Sequence, residues 1–202
     1  MYRRTKFLLT QSLLGSWLYQ YDAADPKKAH AELIKTLKRG KSKPNRAMLD
    51  GIQFENMVTA YCDGSIPDRG HKWFDGICGV GELVKGSQFQ VAAYRDKNIC
   101  GLDFLLYGRL DALKAGTIYD IKFSRTYEPG KYLDSPQHPM YFECVPEAKT
   151  FTYVVYTGKD VCTETYRREE ISPVDETVRQ FIGYLEDTGL AKIYIENWKA
   201  RN

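Results

Sequence analysis

Three residues within the seventeen-residue stretch GRLDALKAGTIYDIKFS, positions 108–124, are out of place for a sheet and well chosen for chemistry: Asp111, Asp120 and Lys122. The stretch otherwise reads as two strands joined by a turn, and strand interiors are poor in Asp and, less strongly, in Lys. Local costs of this kind collect at functional sites. With the turn centred between Ala115 and Gly116, Lys114 opposes Thr117, Leu113 opposes Ile118 and Asp111 opposes Asp120. Directly opposed residues share a face, with Cβ atoms about 4.5–5.5 Å apart. Alternation then puts Lys122 on the face of Asp120 and sends Tyr119, Ile121 and Phe123 the other way, into the core. A two- or four-residue loop gives this register, whereas a three-residue loop reverses the faces.

Two carboxylates so close repel, and one is protonated unless a cation sits between them. Magnesium or manganese suits such a pair, being a hard ion that takes a few oxygen ligands and keeps positions for water and phosphate. A lysine beside the ion can orient or deprotonate an attacking water and offset charge on a developing phosphorane. The bland alternative is a surface hairpin in which Lys122 salt-bridges either aspartate. A third acid, Glu55, falls in a predicted helix with Gly51, Ile52, Val58 and Thr59 at three- and four-residue offsets. It therefore lies on or beside the apolar stripe, as an interior ion pair or as part of a site. Gln137 and Tyr141 share a helical face at i, i+4 and could orient a substrate group or the lysine; singly, such residues are ordinary surface or packing positions. His71, near a glycine-rich bend, and His138, beside Gln137 on another helix face, read as non-ligands, with a phosphate contact the alternative for His138.

The elements that must position these residues are legible in outline. The apolar start is broken by Thr10, Gln11 and Ser12 with no small-x-small cleavage site behind it, so it reads as an amphipathic helix, not a signal peptide, with Leu13, Leu14, Trp17, Leu18 and Tyr21 packed on the core. Asp25-Pro26 opens a second helix through Ala29, Leu33 and Leu37. A third begins near Asn45 with Met48, Ile52, Val58 and Tyr61 as its stripe, and a further helical stretch carries Trp73, Ile77 and Val84. The period then changes to three strands in an antiparallel meander, with turns near Lys97-Asn98 and Ala115-Gly116. A short helix begun at Ser135-Pro136, a hairpin turning at Gly158-Lys159 and two C-terminal helices complete the chain. This order predicts one α/β or α+β domain over residues 1–202 with an N-terminal helical portion up to about residue 86.

Composition is that of an ordinary globular protein, 43% hydrophobic and 27% charged over 202 residues. Five cysteines without a Cys-x-x-Cys pair argue against a disulfide framework or a zinc ribbon and point to a reducing, cytoplasmic setting. No run approaches the roughly 18 apolar residues of a membrane span. Net charge is only +3, yet residues 27–46 hold eight Lys or Arg against one acid, Glu32. Lys35, Lys38, Arg39, Lys41, Lys43 and Arg46 in that run form either a solvated helix and loop or a phosphate-contacting surface.

An acid followed by acid-x-Lys on adjacent strands resembles the PD-(D/E)xK nuclease superfamily, and the wider order resembles its RecB-like branch, which includes bacteriophage exonucleases and CRISPR-associated nucleases. LLTQSLLGSWLYQY is similar to the opening helix of that branch, GIQFE to its glycine-to-acid element, GRLDAL and YDIKFS to its second and third motifs, and Gln137 with Tyr141 to its Q-x-x-x-Y motif, over about residues 8–155. The resemblance implies a restriction-endonuclease-like αβββα core with a mixed sheet. It implies metal ligation by Asp111, Asp120, Glu55 and the Ile121 carbonyl, water activation by Lys122, and DNA positioning by Gln137 and Tyr141. The implied activity is a magnesium- or manganese-dependent DNA exonuclease of phage or prophage recombination, acting on DNA in the cytoplasm away from membranes. A homo-oligomer and a single-strand-annealing partner are further implications. A structure-specific endonuclease and a catalytically idle DNA- or protein-binding module are the alternatives. Some relatives hold an iron–sulfur cluster on one early and three late cysteines; with none before Cys62 and only Cys144 and Cys162 late, no cluster is expected. Asp120 stands where Glu is frequent, a shorter arm that is still compatible with metal binding.

Overall fold

Short polar side chains start the first three helices. Thr10, Asp25 and Asn45 each accept the backbone N–H three residues on, at 3.3, 3.1 and 2.9 Å, contacts worth about 1 kcal/mol apiece. The computed structural model describes residues 5–200, so the extreme ends of the expected 1–202 domain lie outside the described residues. Along the chain run β1 (Lys6–Thr10), α1 (Gln11–Asp22), α2 (Pro26–Leu37), α3 (Arg46–Cys62), α4 (Phe74–Val84), β2 (Gln88–Ile99), β3 (Leu102–Lys114), β4 (Thr117–Phe123), α5 (Gln137–Cys144), β5 (Thr150–Tyr156), β6 (Val161–Arg167), α6 (Asp175–Asp187) and α7 (Ala191–Asn197).

The fold is mixed α/β, a central mixed sheet flanked by helices. β2, β3 and β4 form the expected meander, with Leu113 opposite Ile118 and Lys114 opposite Thr117. The two-residue turn at Ala115-Gly116 has both residues left-handed, φ 49° and 78°, the twist that suits a tight hairpin. β4 and β5 run parallel, as do β1 and β3, and β6 closes one side antiparallel to β5. β3 pairs with β2 from Leu102 to Leu113 except at Asp111, so its other edge is shared. β1 takes residues 103–107 and β4 takes 112–114. Residues 108–111 have no strand on that edge, and the sheet forks there.

Several expectations need correction. The N-terminal portion is not all helical, because Lys6–Thr10 forms a strand whose partner lies about a hundred residues on, and a five-residue apolar run carries no period of its own. Tyr21 is exposed on α1, while Leu13, Leu14 and Trp17 are buried. On α3 the buried stripe is Asp50, Phe54 and Val58; Met48 and Ile52 face solvent. The first hairpin turns at Cys100-Gly101, not at Lys97-Asn98, because β2 continues through Ile99.

Helices cover the sheet unequally. α1, α2, α5, α6 and α7 pack on one face over Phe104, Leu106, Leu110, Ile118, Phe151, Tyr153 and Val155. α3 and α4 cover part of the other face, where Phe54, Val58, Ile77 and Val80 meet Ala112, Ile121, Val154 and Tyr156. The sequence had one core beneath Ile121; the structure has one on each side, so Asp120 and Lys122 also point into protein.

His138 lies in the larger core, stacked on Tyr166 at 4.3 Å and 3.2 Å from the Tyr153 hydroxyl. Burial pushes its pKa down to about 4. The unfolded chain therefore binds a proton below about pH 6.5 that the native state refuses until about pH 4. Native stability attributable to this residue should fall by about 3 kcal/mol as pH drops through that window. Denaturant melts at pH 7.5 and 4.5 should show that decrement in the wild type and lack it in His138→Phe; equal slopes would remove the assignment.

Candidate active site

The fork in the sheet is where the sequence-singled residues meet. The strand pairing of β3 with β4 ends at Ala112–Tyr119, one step short of Asp111 and Asp120. Asp111 Oδ2 instead accepts the Ile121 N–H at 2.8 Å, so the carboxylate replaces the next ladder bond. A strand residue's N–H and C=O point to the same edge, and the Ile121 carbonyl accordingly faces the gap. Asp120 is 2% exposed. Its Oδ1 accepts from the Gln137 amide, and its Oδ2 meets the Lys122 ammonium at 2.6 Å. The lysine remains about one-third open to solvent. The ion pair of the bland alternative is therefore present, but in the interior.

Glu55 approaches from α3 and accepts from the Gln90 amide. Gln90 sits in β2 with φ 53°, a left-handed geometry uncommon for a residue with a Cβ. It and Asp111 drop out of the β2–β3 ladder together, and both strands exchange faces there: Val91 and Leu110 pack on one side, Phe89 and Ala112 on the other. This kink aims Asp111 into the gap. Tyr141 fills the remaining space, its hydroxyl donating to the Arg109 carbonyl at 3.1 Å. Gly108 is needed beneath it, since an added Cβ would overlap the Tyr141 ring. Gly108→Ala should displace Tyr141 and Gln137 from the site while sparing β4. The check is a crystal structure or a Tyr141 fluorine probe, and an unmoved ring would contradict the packing.

The charges are strongly coupled. Burial, then Asp120 and Glu55, hold the Asp111 carboxyl well above the usual carboxylate range against the pull of Lys122 and the Ile121 N–H. Glu55 is raised by burial and by Asp120, opposed by Gln90, Lys122 and Arg109. Burial works to lower the Lys122 ammonium, but Asp120 and Asp111 outweigh it and keep it above the ordinary lysine value. The Tyr141 hydroxyl is pushed up to about 12 by burial and by both aspartates, so it stays a donor. Among the described residues no three His, Cys, Asp or Glu side chains stand ready-made around one point, and Lys122 and Gln137 close on Asp120. The donor chemistry nevertheless fits a hard divalent ion: three crowded carboxylates, a carbonyl toward the gap, and a buried Asp120 Oδ2 with an ion contact but no aligned hydrogen bond.

Two contributors escaped the sequence reading. Gln90 carries no signal in SQFQVAAY, since only its backbone geometry marks it. Glu164 on β6 accepts from the Tyr127 and Tyr166 hydroxyls and from the Gly130 and Tyr132 N–H groups. Burial alone would raise its carboxyl, and these bonds hold it below the usual range. They strap residues 124–136 down, stack Tyr132 on Tyr153 at 4.2 Å and so deliver Gln137 to Asp120. His71 stands apart, edge-on to Trp73 at 5.3 Å. The basic run is dispersed. Lys35 pairs with Glu32 at 3.7 Å, Arg46 with the buried Asp50 at 3.1 Å, and Arg39 lies over Trp198 at 4.0 Å; Lys38, Lys41 and Lys43 are exposed.

Neither a protein-family model nor a curated protein matches the sequence. Among solved structures the fold is similar to the crystal structure of SSO0001, with a TM-score of 0.52 at 14% identity over 91% of this chain and 79% of that one. The likeness is one of fold alone.

Proposed function

We propose that the protein is a metal-dependent DNA exonuclease with a restriction-endonuclease-like core, hydrolysing phosphodiester bonds at the sheet fork. The observation that carries the reading is the Asp120–Lys122 contact, built into a sheet interior beside Asp111 and Glu55, whose carboxyls burial and Asp120 push upward. A bound magnesium or manganese ion would neutralise phosphate charge and supply an activated water. The chain's own groups do the rest. Gln137 fixes the Asp120 carboxylate, and Gln90 fixes Glu55. The Lys122 ammonium, partly open to solvent, offers charge and a hydrogen bond to a phosphate oxygen, or orients the attacking water by the same bond. Tyr141, neutral and anchored on Arg109, holds the α5 face against the fork.

Digestion of end-labelled linear and covalently closed circular DNA tests this, with magnesium, manganese or chelator, beside Asp120→Ala and Lys122→Ala. Metal-dependent loss of the linear DNA alone, abolished in both variants, is the expected result. Cutting of the circle would make the enzyme an endonuclease of the same chemistry. Intact DNA in every lane would overturn the assignment.

A further inference from the structure

The face of the sheet that carries α3 and α4 is covered over β4, β5, the start of β6, the start of β2 and the end of β3. The half formed by β1, β2 and the first part of β3 is bare, and Tyr94, Tyr107, Ala92 and Arg109 are exposed on it. Tyr94 and Tyr107 are direct cross-strand partners, 68% and 36% exposed. Neither ring is paired with another aromatic among the described residues. The charges around them are mostly cations, with Asp103 the acid on the same face of β3, held by Asn98 at 2.6 Å. Arg109, which also bears on Glu55, follows Tyr107 on the same face. Arg39 and Lys199 line a cavity of about 590 Å³ with Leu8, Leu105 and Tyr107. None of these three cations is in an ion pair among the described residues; at the far margin Lys6 and Asp96 cancel each other at 2.5 Å. Tyr107 stands four residues before Asp111, about 13 Å along β3.

We propose that this bare half-sheet is a stacking platform for an unpaired nucleic-acid strand, which it feeds to the fork; the proposal rests on the nuclease reading above. Flat rings displayed on a sheet offer their faces to bases that are themselves unstacked, and neighbouring cations take the phosphates. A duplex hides its bases and gains only the second contribution. Charge complementarity, with three unpaired cations against Asp103, and continuity with the site through Arg109 favour a strand over a protein partner.

The test is fluorescence anisotropy of a labelled oligothymidine strand and of a blunt hairpin duplex, in chelator, on wild type, Tyr94→Ala/Tyr107→Ala and Tyr94→Phe/Tyr107→Phe, with matched melting curves. The strand should bind the wild type more tightly than the duplex does. The alanine pair should weaken strand binding at least about tenfold, the phenylalanine pair should retain it, and duplex binding should move little. Wild-type strand affinity matched by the alanine pair would overturn the platform and leave the nuclease intact. So would self-association abolished by the alanine pair in sedimentation, which would assign the face to a second copy. If DNA is neither bound nor cut, both readings fall, whereas DNA cut without any strand binding removes the platform alone.

Discussion

Asp111→Asn is expected to abolish cleavage, by about a thousandfold or more, while raising the melting temperature in chelator. The amide oxygen still accepts the Ile121 N–H that Asp111 holds at 2.8 Å, so the β4 backbone keeps its support. What disappears is a negative charge crowded by Asp120 and Glu55, the crowding that together with burial drives the Asp111 carboxyl upward. Relief of such a clash at a functional site is worth about 1–2 kcal/mol. The pH dependence gives the same sign. A carboxyl with a raised native pKa destabilises the fold above that pKa, and native stability from it returns as pH falls toward the unfolded value. The stabilisation by Asp111→Asn should therefore be largest at neutral or alkaline pH and shrink on acidification. A variant less stable than wild type at pH 8 would show that the aspartate serves the fold; undiminished cleavage would show that it does not serve the reaction.

Phe54→Ala should cost about 3–5 kcal/mol, a fall of about 10 °C in melting temperature for a chain of this size. Phe54 is fully buried, stacked on Tyr156 at 5.2 Å with Phe123 at 5.6 Å and edge-on to Trp73 at 6.0 Å. These rings come from α3, β4, β5 and the residue before α4, so the cavity left behind would loosen the smaller core as a whole. Glu55 is the next residue, and its approach to Gln90 depends on the same anchor. Cleavage should drop at temperatures where the fold persists. A calorimetric melt alongside activity at 20 °C separates the two effects, and an unchanged melt would mean that α3 is held by something other than this cluster.

The hairpin carrying Asp111, Asp120 and Lys122 was legible because its determinants are local. A two-residue turn sets the register, alternation sets the faces, and the register found is the one the residues dictate. The helix starts at Asp25 and Asn45 were open to the same reasoning, since a cap involves residues only three apart. The burial face of α3 was not. Met48 and Ile52 are as apolar as the stripe that is buried, and Asp50 is inside because Arg46 reaches it. A helix reveals which residues share a side, but its neighbours choose the side that is covered.

By itself, then, the amino-acid sequence determined the helices, the meander and the set of acids, lysine, glutamine and tyrosine that meet at the fork, but not the strand β1. Tertiary structure alone decided that β1 and β4 divide one edge of β3, that Gln90 and Asp111 kink out of the ladder as a pair, and that Glu164 straps the segment leading to Gln137. The physical reason is range. Turns, caps and alternation act over a few residues, while the fork is set by strands about a hundred residues apart competing for the same hydrogen-bonding edge.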